Sequence, residues 1–219
     1  MGSTNDISDT WQVAETDGRI DDAIKLLLDV KRTESSGVID YNLGTLYLQS
    51  GDYASGRFYL EKALKEGFRV KEVKENLLWA RAKVESTQTK NFLTVGDKAI
   101  FGLYELPLWA FSSFAMVILI AGFFVFFRKW RRSLPGWLAL SSLVFFILLF
   151  PKLMAIHGVE AVAIESSIVR EGPSAVYPVS VEIPTGLKVI VGTINGDYVR
   201  IRHPKAFSGW IEKKRLGFL

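Results

Sequence analysis

The stretch PLWAFSSFAMVILIAGFFVFF, residues 107–127, runs for 21 positions without a charged side chain. As a helix rising about 1.5 Å per residue it covers roughly 30 Å, the thickness of a bilayer's hydrocarbon core. The competing reading is a buried core helix, but a chain of 219 residues rarely needs an uncharged run of this length. A second span follows at 137–156, WLALSSLVFFILLFPKLMAI. Pro151 kinks or ends its regular helix, and Lys152 stands near enough to that end to reach the headgroups. The two spans predict a transmembrane helical hairpin over 107–157.

The turn between them, RKWRRSLPG, holds Arg128, Lys129, Arg131 and Arg132. Short loops dense in Lys and Arg stay in the cytoplasm, so these four residues are the topology determinants. Trp109 marks one membrane interface, and Trp130 with Trp137 marks the other. Both flanking regions then face outward, into the periplasm if the membrane is a bacterial inner membrane. Export of an N-terminal region of about 100 residues requires a signal peptide. Residues 1–30 contain none, and Met1-Gly2-Ser3 reads as a start that replaces a cleaved signal. The opposite topology puts both termini in the cytoplasm and four basic residues outside, and is disfavoured. The myristoylation pattern fails because position 6 is Asp.

The charge distribution agrees with a membrane protein. Residues 1–100 carry 14 Lys and Arg against 16 Asp and Glu, residues 101–158 carry 5 against 1, and residues 159–219 carry 8 against 6. The largest excess of the net +4 therefore sits in the most apolar third. A nucleic-acid binder spreads its charge over a folded face instead. With no Cys, disulfide frameworks, thiolate metal sites and cysteine nucleophiles are excluded. With only His157 and His203, a His-rich metal site is excluded as well.

N-terminal to the hairpin, residues 1–86 form a helical domain, of which residues 8–86 show helical periodicity with a repeat. Gly18 and Gly51 stand 33 residues apart, as do Ala23 and Gly56. Tyr41, Asn42, Leu43, Gly44, Tyr47, Gly51, Tyr53, Gly56, Leu60 and Ala63 resemble one tetratricopeptide repeat, whose period is about 34. Gly44, Gly56 and Ala63 let two helices approach, and Leu43, Tyr47 and Leu60 fill between them. The first repeat is partial, with Thr10 and Trp11 in place of the Leu–Gly pair. In the second, Asp40 replaces the usual aromatic and Phe68 the usual terminal Pro. Asn76 and Leu77 repeat the Asn42–Leu43 pair in a capping helix at residues 75–85. One and a half repeats and a cap are short for a solenoid, so the domain needs a partner or its own membrane-proximal helix to complete its core. Such repeats imply a groove for partner segments at Tyr41, Asn42, Thr45, Leu48 and Gln49. For Tyr41 and Leu48 the alternative is a place in the core. Residues 87–106 form a membrane-proximal linker, with Phe92, Val95, Ala99, Leu103 and Leu106 spaced as an amphipathic helix.

C-terminal to the hairpin, residues 158–219 change to strand patterning. Five or so short strands, with turns at Gly172-Pro173, Pro184-Thr185-Gly186 and Asn195-Gly196, predict a small all-β barrel. Val169-Arg170-Glu171-Gly172-Pro173-Ser174, Asp197-Tyr198-Val199-Arg200 and Gly209-Trp210-Ile211 resemble a bacterial SH3-like domain. That resemblance implies binding of peptides or cell-wall polymers. Tyr177, Tyr198 and Trp210 are the candidate ligand surface, with barrel-core packing as the alternative. The fold class is thus multi-domain, with all-α repeats, a membrane hairpin and an all-β module.

No Gly-rich phosphate loop, Gly-x-Ser-x-Gly elbow or His-Glu-x-x-His motif is present. No catalytic residue, metal or cofactor is assigned. Asp21 and Asp22 are adjacent on a helix, so they do not face each other and read as a solvated helix start. The domain order, with the Asn42-Leu43-Gly44 and Gly209-Trp210-Ile211 motifs, resembles the BatE-type proteins of the bacterial aerotolerance operon. The resemblance implies a non-enzymatic scaffold in the inner membrane. It also implies von Willebrand A-domain membrane proteins as partners and, indirectly, a MoxR-type ATPase. The alternative is a cell-wall tether that binds peptidoglycan through the SH3-like domain; neither reading involves nucleic acid.

Overall fold

The computed structural model describes residues 16–33, 36–84, 93–105 and 158–219, with the isolated positions 113, 116, 117 and 120. Most of both expected spans, and the four basic residues of the turn between them, lie outside the described residues. Among the described residues no helix is long and apolar enough to cross a membrane. The chain divides into two compact units, Met1–Leu93 with Val159–Leu219, and Thr94–Gly158.

In the first unit, α1 (Ile20–Thr33) opens on Asp21 and Asp22 and closes on Lys31 and Arg32. That order of charges suits the helix dipole. The hydroxyl of Ser36 caps α2 (Gly37–Ser50) by accepting from Ile39 N–H at 3.3 Å. Gly51 ends the helix in the left-handed region, with φ 87°. One residue later the Asp52 carboxylate caps α3 (Tyr53–Lys65), accepting from Ser55 N–H at 3.1 Å. A two-residue connection makes α2 and α3 neighbours, and the expected small residues decide how close they lie. A Cβ on Gly44 would stand 2.7 Å from Leu60, and one on Gly56 would stand 2.6 Å from Leu48. The last helix, α4 (Lys71–Val84), starts earlier than the 75–85 expected.

Two apolar clusters hold the helices. Ala23, Ile24, Leu27, Leu43 and Leu46 join α1 to α2. Leu48, Leu60, Ala63, Val73, Leu77 and Ala80 join α2, α3 and α4. Each buried Leu contributes roughly 1.5–3 kcal/mol. Asp40, at the position of the usual aromatic, is buried and ion-paired to Lys31 of α1, with Lys62 of α3 at 4.0 Å.

The same unit contains seven strands: β1 (Val159–Ala163), β2 (Ser167–Arg170), β3 (Val179–Ile183), β4 (Lys188–Asn195), β5 (Tyr198–His203), β6 (Gly209–Glu212) and β7 (Leu216–Phe218). They form one antiparallel sheet in the order β3-β2-β6-β5-β4-β1-β7. The three-residue β7, too short for an alternating pattern, is the strand that patterning misses. Asn195 pairs with Tyr198, so the β4–β5 turn is Gly196-Asp197, one residue later than the Asn195-Gly196 expected. The core includes Val169, Ile183, Val189, Val191, Val199, Ile201, Phe207 and Ile211.

In the second unit, α5 (Val95–Glu105) begins with a capping box. Thr94 Oγ1 accepts from Asp97 N–H at 3.1 Å, and the Asp97 carboxylate accepts from Thr94 N–H at 3.1 Å. Val95 and Ala99 of the expected apolar stripe are exposed. Phe92 and Leu106 lie outside the described residues.

Candidate functional site

Two places in the first unit gather functional side chains. One is the junction between the helices and the sheet. Its centre is Glu61 of α3, which is only 4% exposed. Arg57, one turn earlier, donates from Nε to Glu61 Oε1 at 3.1 Å. Arg81 of α4 donates to the same oxygen at 3.2 Å. Lys188, the first residue of β4, reaches Glu61 Oε2 at 2.9 Å and Glu160 Oε1 of β1 at 2.8 Å. Lys65 of α3 pairs with the other oxygen of Glu160. Arg57 also donates from Nη1 to the Gly186 carbonyl at 2.9 Å. Two carboxylates from opposite modules are thus held by four cations drawn from both.

Burial alone raises the Glu61 pKa, but Lys188, Arg57 and Arg81 outweigh it and hold it at about 2. Glu160 is likewise below the usual carboxylate range, its burial offset by Lys188 and Lys65. Lys188 is above the usual lysine range, because Glu61 and Glu160 outweigh its desolvation. The packing around this network is close. A Cβ on Gly217 would stand 2.6 Å from the Phe58 ring of α3, and one on Gly186 would stand 2.6 Å from Val84 of α4. The β domain therefore packs directly against α3 and α4.

The second place is the outward face of the sheet. Alternation along β5 buries Val199 and Ile201 and turns Tyr198, Arg200 and Arg202 outward. On β6 it buries Ile211 and leaves Trp210 half-buried on the same side. Trp210 stands opposite Arg170 of β2 and Arg200 of β5, and Tyr198 stands opposite Glu212. Tyr177 is 47% exposed and its carbonyl accepts from Arg170 Nη1 at 2.8 Å. Tyr198 and Trp210 therefore share one face, and Arg170 connects it to the Tyr177 loop.

The expected groove residues are distributed differently. Leu48 is buried in the cluster of α2, α3 and α4, and Tyr41 packs on Phe68 at 5.6 Å between ring centroids. Both take the core alternative. Thr45 donates to the Tyr41 carbonyl at 3.0 Å and accepts from Asn76 at 3.3 Å, tying α2 to α4. Asn42 is half-buried and Gln49 is exposed. His203 is half-buried on β5, and His157 lies outside the described residues. Among the described residues no group of His, Cys, Asp and Glu is arranged to hold a metal ion.

Sequence reasoning missed the junction residues Glu61, Arg57, Arg81, Lys188 and Glu160. Two signals were present. Arg57 and Glu61 have the i, i+4 spacing of a helical ion pair. Lys188 stands between Leu187 and the apolar run Val189 to Val191, where a lone lysine needs a carboxylate partner.

Residues 165–217 match the bacterial SH3 domain family. The match covers all of β2 to β6, and with them the Arg170, Trp210 and Arg200 row. No curated protein and no solved structure matches the chain.

Proposed function

We propose that the chain is a membrane-anchored, non-enzymatic scaffold that presents two binding modules on one platform. The observation that carries this reading is the junction. Glu61, Lys188 and Glu160 bind the helical region to the bacterial SH3 domain, so a partner engaging one surface also meets the other at a fixed position. The same packing supports a two-span hairpin over residues 107–156, which keeps both regions on one side of the membrane. The basic turn at Arg128, Lys129, Arg131 and Arg132 then favours a periplasmic platform. The domain order still resembles BatE-type proteins, which supports von Willebrand A-domain membrane proteins as partners.

Capture of the full chain from crosslinked, detergent-solubilised membranes tests the proposal. It expects a von Willebrand A-domain membrane protein in the eluate at stoichiometric yield. Recovery of no partner after crosslinking contradicts it. The match to a bacterial SH3 domain favours one second reading, a tether to peptidoglycan. Sedimentation of the full chain with purified peptidoglycan, and no protein partner, establishes that reading instead.

A further inference from the structure

Arg170, Trp210 and Arg200 form one row across β2, β6 and β5, because Trp210 is in direct register with both arginines. Directly opposed residues project from the same face. Arg202, two residues beyond Arg200, projects from it too and lies across Gly192 of β4, where any side chain would collide with its guanidinium. Arg200 and Arg202 are exposed and have no carboxylate partner among the described residues. Glu212, which stands opposite Tyr198 on this face, is already paired with Lys214 at 3.0 Å and Arg215 at 3.8 Å. Glu182 stands on the edge strand β3, three strands from β5. Two arginines thus flank one indole in register, and Arg200 and Arg202 have no compensating charge among the described residues. Beside the row, Val176 is 92% exposed in the loop that Arg170 anchors through the Tyr177 carbonyl.

We propose that this face binds an extended acidic segment of a partner protein. The spacing favours a peptide. Arg200 and Arg202 project from alternate positions of β5, and carboxylates on alternate residues of an extended chain meet them in the same order. A guanidinium fork accepts a carboxylate through two parallel hydrogen bonds. The Trp210 indole supplies apolar contact area beside them. The inference rests on the reading of the β domain as a protein-binding module, and it names the chemistry of the segment bound.

Fluorescence anisotropy of the full chain with labelled decapeptides tests it. One peptide alternates Glu and Ser, the other Lys and Ser. The Glu–Ser peptide is expected to bind, with affinity falling as salt rises. Binding is expected to weaken at least tenfold in Arg200→Ala/Arg202→Ala. It should stay unchanged in Lys71→Ala/Lys74→Ala, which removes the same charge from α4. Since Arg200 and Arg202 are exposed, their variant should keep the wild-type thermal unfolding curve. Equal loss in both variants, or no loss in the arginine variant, overturns the proposal. So does arginine-dependent binding of anionic lipid vesicles or peptidoglycan without binding of the peptide. Membrane capture separates this inference from the scaffold reading. If the arginine variant retains the partner fully, the inference fails and the scaffold stands. If the wild type captures nothing, the scaffold reading fails.

Discussion

Glu61 is a carboxylate kept ionised where burial acts against it, and the sign of its pH dependence follows. Its pKa falls from 4.5 to about 2 on folding. The stabilisation is therefore complete above about pH 4.5 and is lost as pH drops toward 2, reaching about 3 kcal/mol at neutral pH. Urea unfolding at pH 7, 4 and 2.5 should show this decline, and Glu61→Gln should flatten it. A decline of equal slope in the variant places the acid sensitivity elsewhere. Asp40 is a second buried carboxylate, within the helices. It departs from the repeat pattern in sequence, and the departure is explained only when Lys31 and Lys62 converge on it from α1 and α3. A buried aromatic fills space, whereas a buried carboxylate must find cations, and those arrive from other helices.

At the scale of elements, the close approach of α3 to β7 depends on the absence of a side chain at Gly217, over which the Phe58 ring lies. Gly217→Ala should cost about 1–3 kcal/mol through overpacking. Because the collision is with one ring, Gly217→Ala/Phe58→Ala should be less destabilised than the sum of the single variants. Additive losses in chemical denaturation would show that the two residues do not touch. Contacts within a module were largely legible in the sequence. The Gly44 and Gly56 positions announced the approach of α2 to α3, whereas the side of the sheet that Trp210 occupies stayed open between ligand surface and core. Turn placement was off by one residue at Gly196-Asp197, because local glycine preference does not fix register. The junction was not legible. Glu61 and Lys188 meet across 127 positions, and neither helical periodicity nor strand alternation carries information over such a separation. The groove residues Tyr41 and Leu48 fit both a core and a surface pattern in sequence, and packing alone decided for the core.

For the whole molecule, the helical region and the bacterial SH3 domain are one compact unit although residues 94–158 separate them in the chain. This changes what the sequence implies. Two modules that read as independent binding domains at opposite ends of a hairpin instead share a buried ion network and a packed boundary. Neither end is then free to reorient when a partner binds the other. The direct measurement uses the absence of Cys from the chain. The Cβ position of Gly217 lies 2.8 Å from Cγ of Phe58, one bond from the Phe58 Cβ, so Phe58→Cys/Gly217→Cys brings two thiols within reach of a disulfide, whose Cβ atoms stand about 3.8 Å apart. The full-length variant is oxidised mildly, digested and analysed by mass spectrometry. A linked pair of peptides carrying positions 58 and 217 within one chain is expected; two free thiols, or a link formed only between chains, rule out the shared boundary.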